Sequence, residues 1–246
     1  MFLDRRLIIF DLDGTLIDSL GVWSQVDQAL VEKLSADNVR ITEEEAYERR
    51  AAAMKTYGEG SEAYVKYCGD LKQAFGMAGT PEEIHAQRYD LAQEFLRTRV
   101  GYRPGVPAVL KALKGAGLRL AIATTTRRRN LNTYAEKNLG MRREAPIADF
   151  FELTMTRDDV ERVKPDPEVF LKIMAHFGLP PEACLVVEDA LPGVLGARAA
   201  GIDSVVITER HSESARAALD EAAIARFEDY DAFLQALEAE IGKALA

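Results

Sequence analysis

The chain has 246 residues, enough for one large domain or two small ones, with a core that needs no covalent staples. A net charge of −9, with 48% hydrophobic and 29% charged residues, is ordinary globular composition. It excludes the basic footprint of a nucleic-acid binder and the polybasic face of a membrane-surface protein. Cys68 and Cys184 stand far apart and three histidines are scattered, which excludes a disulfide framework or a zinc site and points to a reducing compartment.

In chain order, Leu7–Phe10 is a continuous apolar run that ends at Asp11. It is too short for a signal-peptide core or a membrane span, and no stretch of about 18 apolar residues occurs elsewhere. A cytoplasmic monomer or homodimer is expected, with no nucleic-acid or membrane partner. From about Ser19 to Arg99 the sequence reads as helices near 19–36, 42–57, 61–77 and 81–98, with no convincing strand. Thr42 with Glu45 is a capping box, and so is Thr80 with Glu83, reinforced by Pro81 at the first helical position. Beyond Gly101, apolar runs at Leu118–Ala123, Glu152–Thr156, Cys184–Val187 and Ser204–Ile207 alternate with helical patterns near 106–116, 129–139, 168–177 and 193–200. More helix follows toward the C-terminus. Strand–helix alternation implies a parallel sheet covered on both faces. Apolar runs without alternation are what strands buried on both sides require. The expected fold class is α/β, a parallel sheet interrupted by an all-α insert that leaves near Ile17 and returns near Gly101.

Ligands of an open parallel sheet bind beyond the carboxyl ends of its strands. Asp11 and Asp13 follow the first predicted strand, and Thr124, Thr125 and Thr126 follow the second. A loop to Lys164 follows the third, and Glu188 and Asp189 follow the fourth. Carboxylates gathered on one rim repel each other and need a cation; a few hard oxygen ligands suit Mg²⁺. The hydroxyls and the lysine supply donors for an anion. Together these are the parts phosphoryl transfer uses, and a carboxylate is itself a competent nucleophile.

Plainer readings stand beside these. Asp-x-Asp-Gly is ordinary turn chemistry, although Leu16 at the sixth position excludes a calcium loop. Thr125 and Thr126 are equally well strand-end residues, and Glu188 is equally well a base or a strand-end acid. Pro165 confines Lys164 to extended conformations, with Asp166 as N-cap and Pro167 as first helical residue behind it. Arg127–Arg129 open a predicted helix, where cations oppose the dipole. Arg127, and Arg49 in the insert, are candidate substrate contacts, with a solvated surface as the plainer explanation. Trp23, Tyr57, Tyr64, Tyr67 and Phe75 read as core of the insert.

The string Asp11-Leu-Asp13-Gly14-Thr15-Leu-Ile-Asp18-Ser19 resembles the first motif of the haloacid dehalogenase-like superfamily. Thr124 closing "LAIAT", Lys164 in "KPDPEVF" and Glu188-Asp189 in "LVVEDALPGVLGARAAG" resemble its second, third and fourth. The resemblance implies a Rossmann-like core over 1–16 and 101–246 and a helical cap over 17–100, like the branch containing β-phosphoglucomutase. It implies Asp11 as nucleophile and Asp13 as general acid and base. It implies Mg²⁺ held by the Asp11 carboxylate, the Asp13 carbonyl and Asp189, with Glu188 close by, and Thr124, the Thr125 backbone and Lys164 on the phosphoryl oxygens. Dehalogenating and phosphonate-cleaving relatives lack the acid at Asp13; an alkoxide leaving group needs it. β-Phosphoglucomutase carries a histidine where this chain has Trp23, which favours hydrolysis. The expected activity is that of a phosphatase for a small phosphorylated metabolite; the alternatives are a phosphomutase and a catalytically silent binding or regulatory protein.

Overall fold

The computed structural model of the chain describes all residues except Leu20, Glu59, Arg210, His211, Glu213, Ser214 and Ala246. Strand β1 (Leu7–Phe10) is followed by four helices, α1 (Val22–Leu34), α2 (Glu43–Tyr57), α3 (Ser61–Phe75) and α4 (Pro81–Thr98). The chain continues through α5 (Val106–Gly115), β2 (Arg119–Ala123), α6 (Arg128–Asn132), α7 (Leu139–Glu144), α8 (Ile147–Phe150), β3 (Leu153–Met155) and α9 (Glu168–Phe177). It ends with β4 (Cys184–Glu188), α10 (Leu191–Ala199), β5 (Asp203–Ile207), α11 (Arg216–Ala222), β6 (Ala225–Phe227) and α12 (Tyr230–Leu245). Two compact units result: Met1–Asp18 with Gly101–Ala246, and Ser19–Val100.

The first unit is a six-stranded parallel sheet in the order β3-β2-β1-β4-β5-β6, a Rossmann-like α/β architecture. All four residues of β1 are fully buried, as a central strand covered on both faces requires. On one face Leu7, Ile9 and Val186 pack against Phe170, Ile173 and Phe177 of α9; each such side chain contributes roughly 2 kcal/mol of transfer free energy. The register decides where the strands end together. Phe10 pairs with Ile122 of β2 on one side and Val187 of β4 on the other. Asp11, Ala123 and Glu188 therefore come next, side by side.

The helical pattern near 129–139 is not one helix. Its hydrogen bonding slips to a π-helical turn at Thr133–Lys137, with Asn138 starting α7 by accepting from Met141 N at 3.1 Å. Strand β6 has no counterpart in the predicted elements. It is a half-buried edge strand of three residues with Arg226 at its centre, so it leaves no apolar run.

The second unit packs α1–α4 around Leu30, Val31, Tyr67, Cys68, Leu71 and Ile84. The Thr80 capping box closes in both directions: Glu83 N donates to Thr80 Oγ1 (3.2 Å) and Thr80 N to Glu83 Oε2 (2.8 Å). At Thr42 only the forward bond from Glu45 N forms (3.1 Å), because the Glu45 carboxylate turns to Arg49 Nε (2.9 Å). Tyr67 is core as expected, while Tyr57 is exposed. No described helix is long and apolar enough to cross a membrane.

Candidate active site

Asp11 is the first residue beyond β1. Its N–H donates to Val187 O (2.9 Å), which extends the β1–β4 ladder by one residue and pins the carboxylate at the centre of the sheet edge. The chain then turns tightly: Leu16 N and Ile17 N both donate to Leu12 O (2.9 and 3.0 Å). Gly14 sits at φ +84°, a conformation that disfavours any side chain. The turn sends Asp13 toward the end of β2, where Thr126 Oγ1 donates to Asp13 Oδ2 (2.5 Å). Thr126 N in turn donates to Thr124 Oγ1 (3.0 Å), so the two threonines shape one turn. Thr125 is exposed beside them.

Lys164 reaches the same point from the loop after β3. Its Nζ donates to Asp11 Oδ1 (2.7 Å), Glu188 Oε1 (2.6 Å) and Ala123 O (2.8 Å), so one ammonium ties together the ends of three strands. The helix behind it starts at Glu168, one residue later than expected, with Asp166 Oδ1 accepting from Glu168 N (3.0 Å). The other Glu188 oxygen, Oε2, accepts from Asp189 N (2.9 Å) and Ala190 N (3.0 Å). This folded-back carboxylate makes glycine obligatory at 193, where a Cβ would lie 1.6 Å from Glu188 Oε1. Asp189 Oδ1 accepts from Thr15 Oγ1 (2.6 Å).

Carboxylate oxygens of Asp11, Glu188 and Asp189, all buried, lie within 4.8 Å of one another. Burial pushes the Asp11 carboxyl above the usual range, Lys164 pulls it back, and Glu188 pushes it up again. Burial likewise raises Asp189, with Glu188 and Asp11 adding to the rise and the Thr15 hydrogen bond opposing it. Burial works against the Lys164 charge, but Asp11 and Glu188 outweigh it and hold the ammonium above an ordinary lysine. Three acids against one cation leave excess negative charge in a buried place, which a bound cation would relieve.

The structure thus gathers Asp11, Asp13, Thr124, Lys164, Glu188 and Asp189 at one edge of the sheet. Arg127 is exposed and lies 3.4 Å from Asp158. The acid that offsets the cations at the start of α6 belongs to the protein, since Asp158 Oδ2 also accepts from Arg128 N (2.8 Å). Arg49, in the helical unit, pairs with Glu45 (2.8 Å) and stacks over Phe75 at 4.7 Å. Sequence reasoning did not single out Thr15 or Gly193, and it left Thr126 evenly balanced between a rim hydroxyl and a strand-end residue. The only signal for Thr126 was the threonine run itself, which does not say which hydroxyl turns inward.

The family model of haloacid dehalogenase-like hydrolases matches residues 5–201. The chain belongs to that family. The hydrolase is 33% identical over 207 residues to the protein CbbY of Rhodobacter capsulatus, covering 84% of this chain and 86% of that one. It is 27% identical to a phosphoglycolate phosphatase of Nitrosococcus oceani, covering 85% of this chain and 86% of the relative. In fold it is similar to a Thermotoga maritima protein assigned as a β-phosphoglucomutase, with a TM-score of 0.76 at 23% identity, covering 95% of this chain and 99% of the other.

Proposed function

We propose that this hydrolase is a Mg²⁺-dependent phosphatase that removes phosphate from a small metabolite through an aspartyl-phosphate on Asp11. The observation that carries the reading is the Lys164 ammonium bonded to Asp11 and Glu188, with Asp13 one turn away at Thr126. An Asp11 oxygen attacks phosphorus; the bond from phosphorus to the leaving oxygen breaks, and that oxygen takes a proton from Asp13. Asp13, now ionised, removes a proton from the water that attacks phosphorus, and the Asp11 carboxylate leaves. The Thr126 hydroxyl donates to Asp13 Oδ2 and so fixes the direction of its carboxyl group. Lys164 fixes the direction of Asp11 and offsets the charge it brings to the phosphoryl group. Thr124, at the same edge, would contact the phosphoryl oxygens, as the resemblance implies.

The donor set fits a hard divalent ion. Asp11 Oδ1 and Asp189 Oδ1 are engaged by Lys164 and Thr15, while their Oδ2 atoms take no hydrogen bond from the described residues. Asp11 and Asp189 would hold Mg²⁺, with the Asp13 carbonyl as the third group the resemblance implies. Both Glu188 oxygens are committed to Lys164 and to main-chain N–H groups, so Glu188 serves to hold Lys164 in place. Bound there, Mg²⁺ would supply positive charge to offset that of the phosphoryl oxygens.

The helical unit is proposed as a cap that selects the leaving group. Its two connections meet at the catalytic turn, where Asp18 N donates to Gly101 O (3.1 Å). Trp23 offers no acid or base at the position where a mutase carries histidine, which supports hydrolysis over transfer back to a sugar. The phosphatase relative supports a small phosphorylated compound as substrate. Two free, buried cysteines support a cytoplasmic enzyme.

The test is release of phosphate from a generic aryl phosphate. Activity is expected with Mg²⁺, to vanish with EDTA and return on adding Mg²⁺, and to be absent in Asp11→Asn. Turnover that survives either change overturns the mechanism.

A further inference from the structure

Two consecutive carbonyls of the catalytic turn are each held by a side chain from a distant segment of the same unit. Arg103 Nη1 donates to Gly14 O (2.5 Å), and its Nη2 donates to Thr208 O (2.7 Å) just beyond β5. Tyr230, at the start of α12, donates its hydroxyl to Thr15 O (3.0 Å). The Arg103 guanidinium lies 5.9 Å from the centre of the Tyr230 ring, within reach of a cation–π interaction. Arg103 also holds the turn through its main chain, with its N–H on Leu16 O (2.9 Å).

The local sequence serves this arrangement. Gly105, at φ +85°, lets Tyr230 approach: a Cβ there would lie 2.8 Å from Tyr230 Cβ. Tyr230 is 1% exposed and Thr15 is fully buried. Arg103 makes no ion pair with a described carboxylate. It directs a charged two-pronged donor at two neutral carbonyls, a geometry that lysine cannot copy. The turn it grips carries the chemistry on either side: Asp13 precedes Gly14, and the Thr15 hydroxyl donates to Asp189.

We propose that Arg103 and Tyr230 are positioning residues: together they clamp the Gly14 and Thr15 carbonyls and so set Asp13 for proton transfer and Asp189 for the cation. This rests on the phosphatase reading above. Neither side chain touches the reacting atoms; both act through the turn. A displacement of about 1 Å in a catalytic group is enough to lose two orders of magnitude in rate.

The experiment compares Arg103→Met, Arg103→Lys and Tyr230→Phe in the full chain. Arg103→Met is expected to lower kcat for an aryl phosphate by about tenfold or more with KM within about twofold, the split that marks a lost transition-state interaction. Arg103→Lys, which keeps the charge and loses the fork, is expected to recover only part of kcat. Tyr230→Phe removes one hydroxyl and is expected to weaken Mg²⁺ binding about fivefold, read by calorimetry without substrate. Should Arg103→Met fail to fold, Tyr230→Phe alone decides. Wild-type kcat in folded Arg103→Met, full recovery in Arg103→Lys, or unchanged Mg²⁺ affinity in Tyr230→Phe overturns the clamp. Asp11→Asn is run alongside: if it stays active, the phosphatase reading has failed, whereas an inactive Asp11→Asn beside unaffected Arg103 and Tyr230 variants removes the clamp alone.

Discussion

Each unit of this hydrolase buries an ionic cluster, and the two are opposite in sign and setting. At the sheet edge, Asp11, Glu188 and Asp189 surround Lys164, so negative charge is in excess. Among the helices, Asp27 of α1 receives Arg88 Nε and Arg50 Nη1, each at 2.6 Å, and positive charge is in excess. The helical cluster meets its excess with ring faces, while Arg88 Nη2 has no hydrogen-bond partner among the described residues. The Arg88 guanidinium lies 4.9 Å from the centre of the Tyr64 ring, with Trp23 and Tyr67 at 5.5 and 5.8 Å, and those ring faces attract a cation. Tyr67 also donates its hydroxyl to Asp27 Oδ2 (3.1 Å). The sheet-edge cluster has no such remedy, because among the described residues no further side chain supplies the missing positive charge. The first cluster lies between packed helices; the second lies at strand ends and turns, where open parallel sheets bind ligands. Buried charge by itself is therefore a poor sign of a site, and charge left without an internal partner at a strand end is a good one.

Three substitutions sharpen that contrast. Lys164→Met is expected to reduce kcat by about a thousandfold, because it removes the one cation that orders two carboxylates and the Asp11 direction. Steady-state kinetics on a folded sample checks this, and a loss below tenfold would break the contrast from the catalytic side. Asp27→Asn leaves two arginines without their anion and is expected to destabilise the helical unit by about 3 kcal/mol. Denaturant unfolding measures it; the matching outcome is a large stability loss with aryl phosphate turnover retained by whatever fraction stays folded. Thr126→Val has the smallest effect. Losing one hydroxyl bond to a charged acid is worth about 1.5 kcal/mol, so kcat is expected to fall about tenfold with stability little changed. No change in kcat would detach Thr126 from Asp13.

Much of this was legible in the sequence because buried parallel strands are written as unbroken apolar runs. Leu7–Phe10 and Cys184–Val187 announced themselves, and the acids that follow them were placed by strand order alone. Strand β6 was hidden because an edge strand is only half buried, and Arg226 interrupts its pattern. The π-helical turn at Thr133–Lys137 was hidden because a slipped hydrogen bond leaves polarity unchanged. The partners of the candidate catalytic acids were least visible. Thr15 and Asp189 meet across 174 positions, and nothing local to either residue records the bond. Gly193 read as an ordinary helix residue until the Glu188 carboxylate was seen to occupy the space of its side chain.

The most direct measurement is capture of the covalent intermediate. The hydrolase is mixed with Mg²⁺ and excess aryl phosphate, quenched in acid during turnover, digested and analysed by mass spectrometry. One phosphoryl group on the peptide containing Asp11, absent when EDTA is added first, is the expected result. A phosphoryl group on any other residue, or none on Asp11 in a sample that is turning over, would contradict the role assigned to the buried acid beside Lys164.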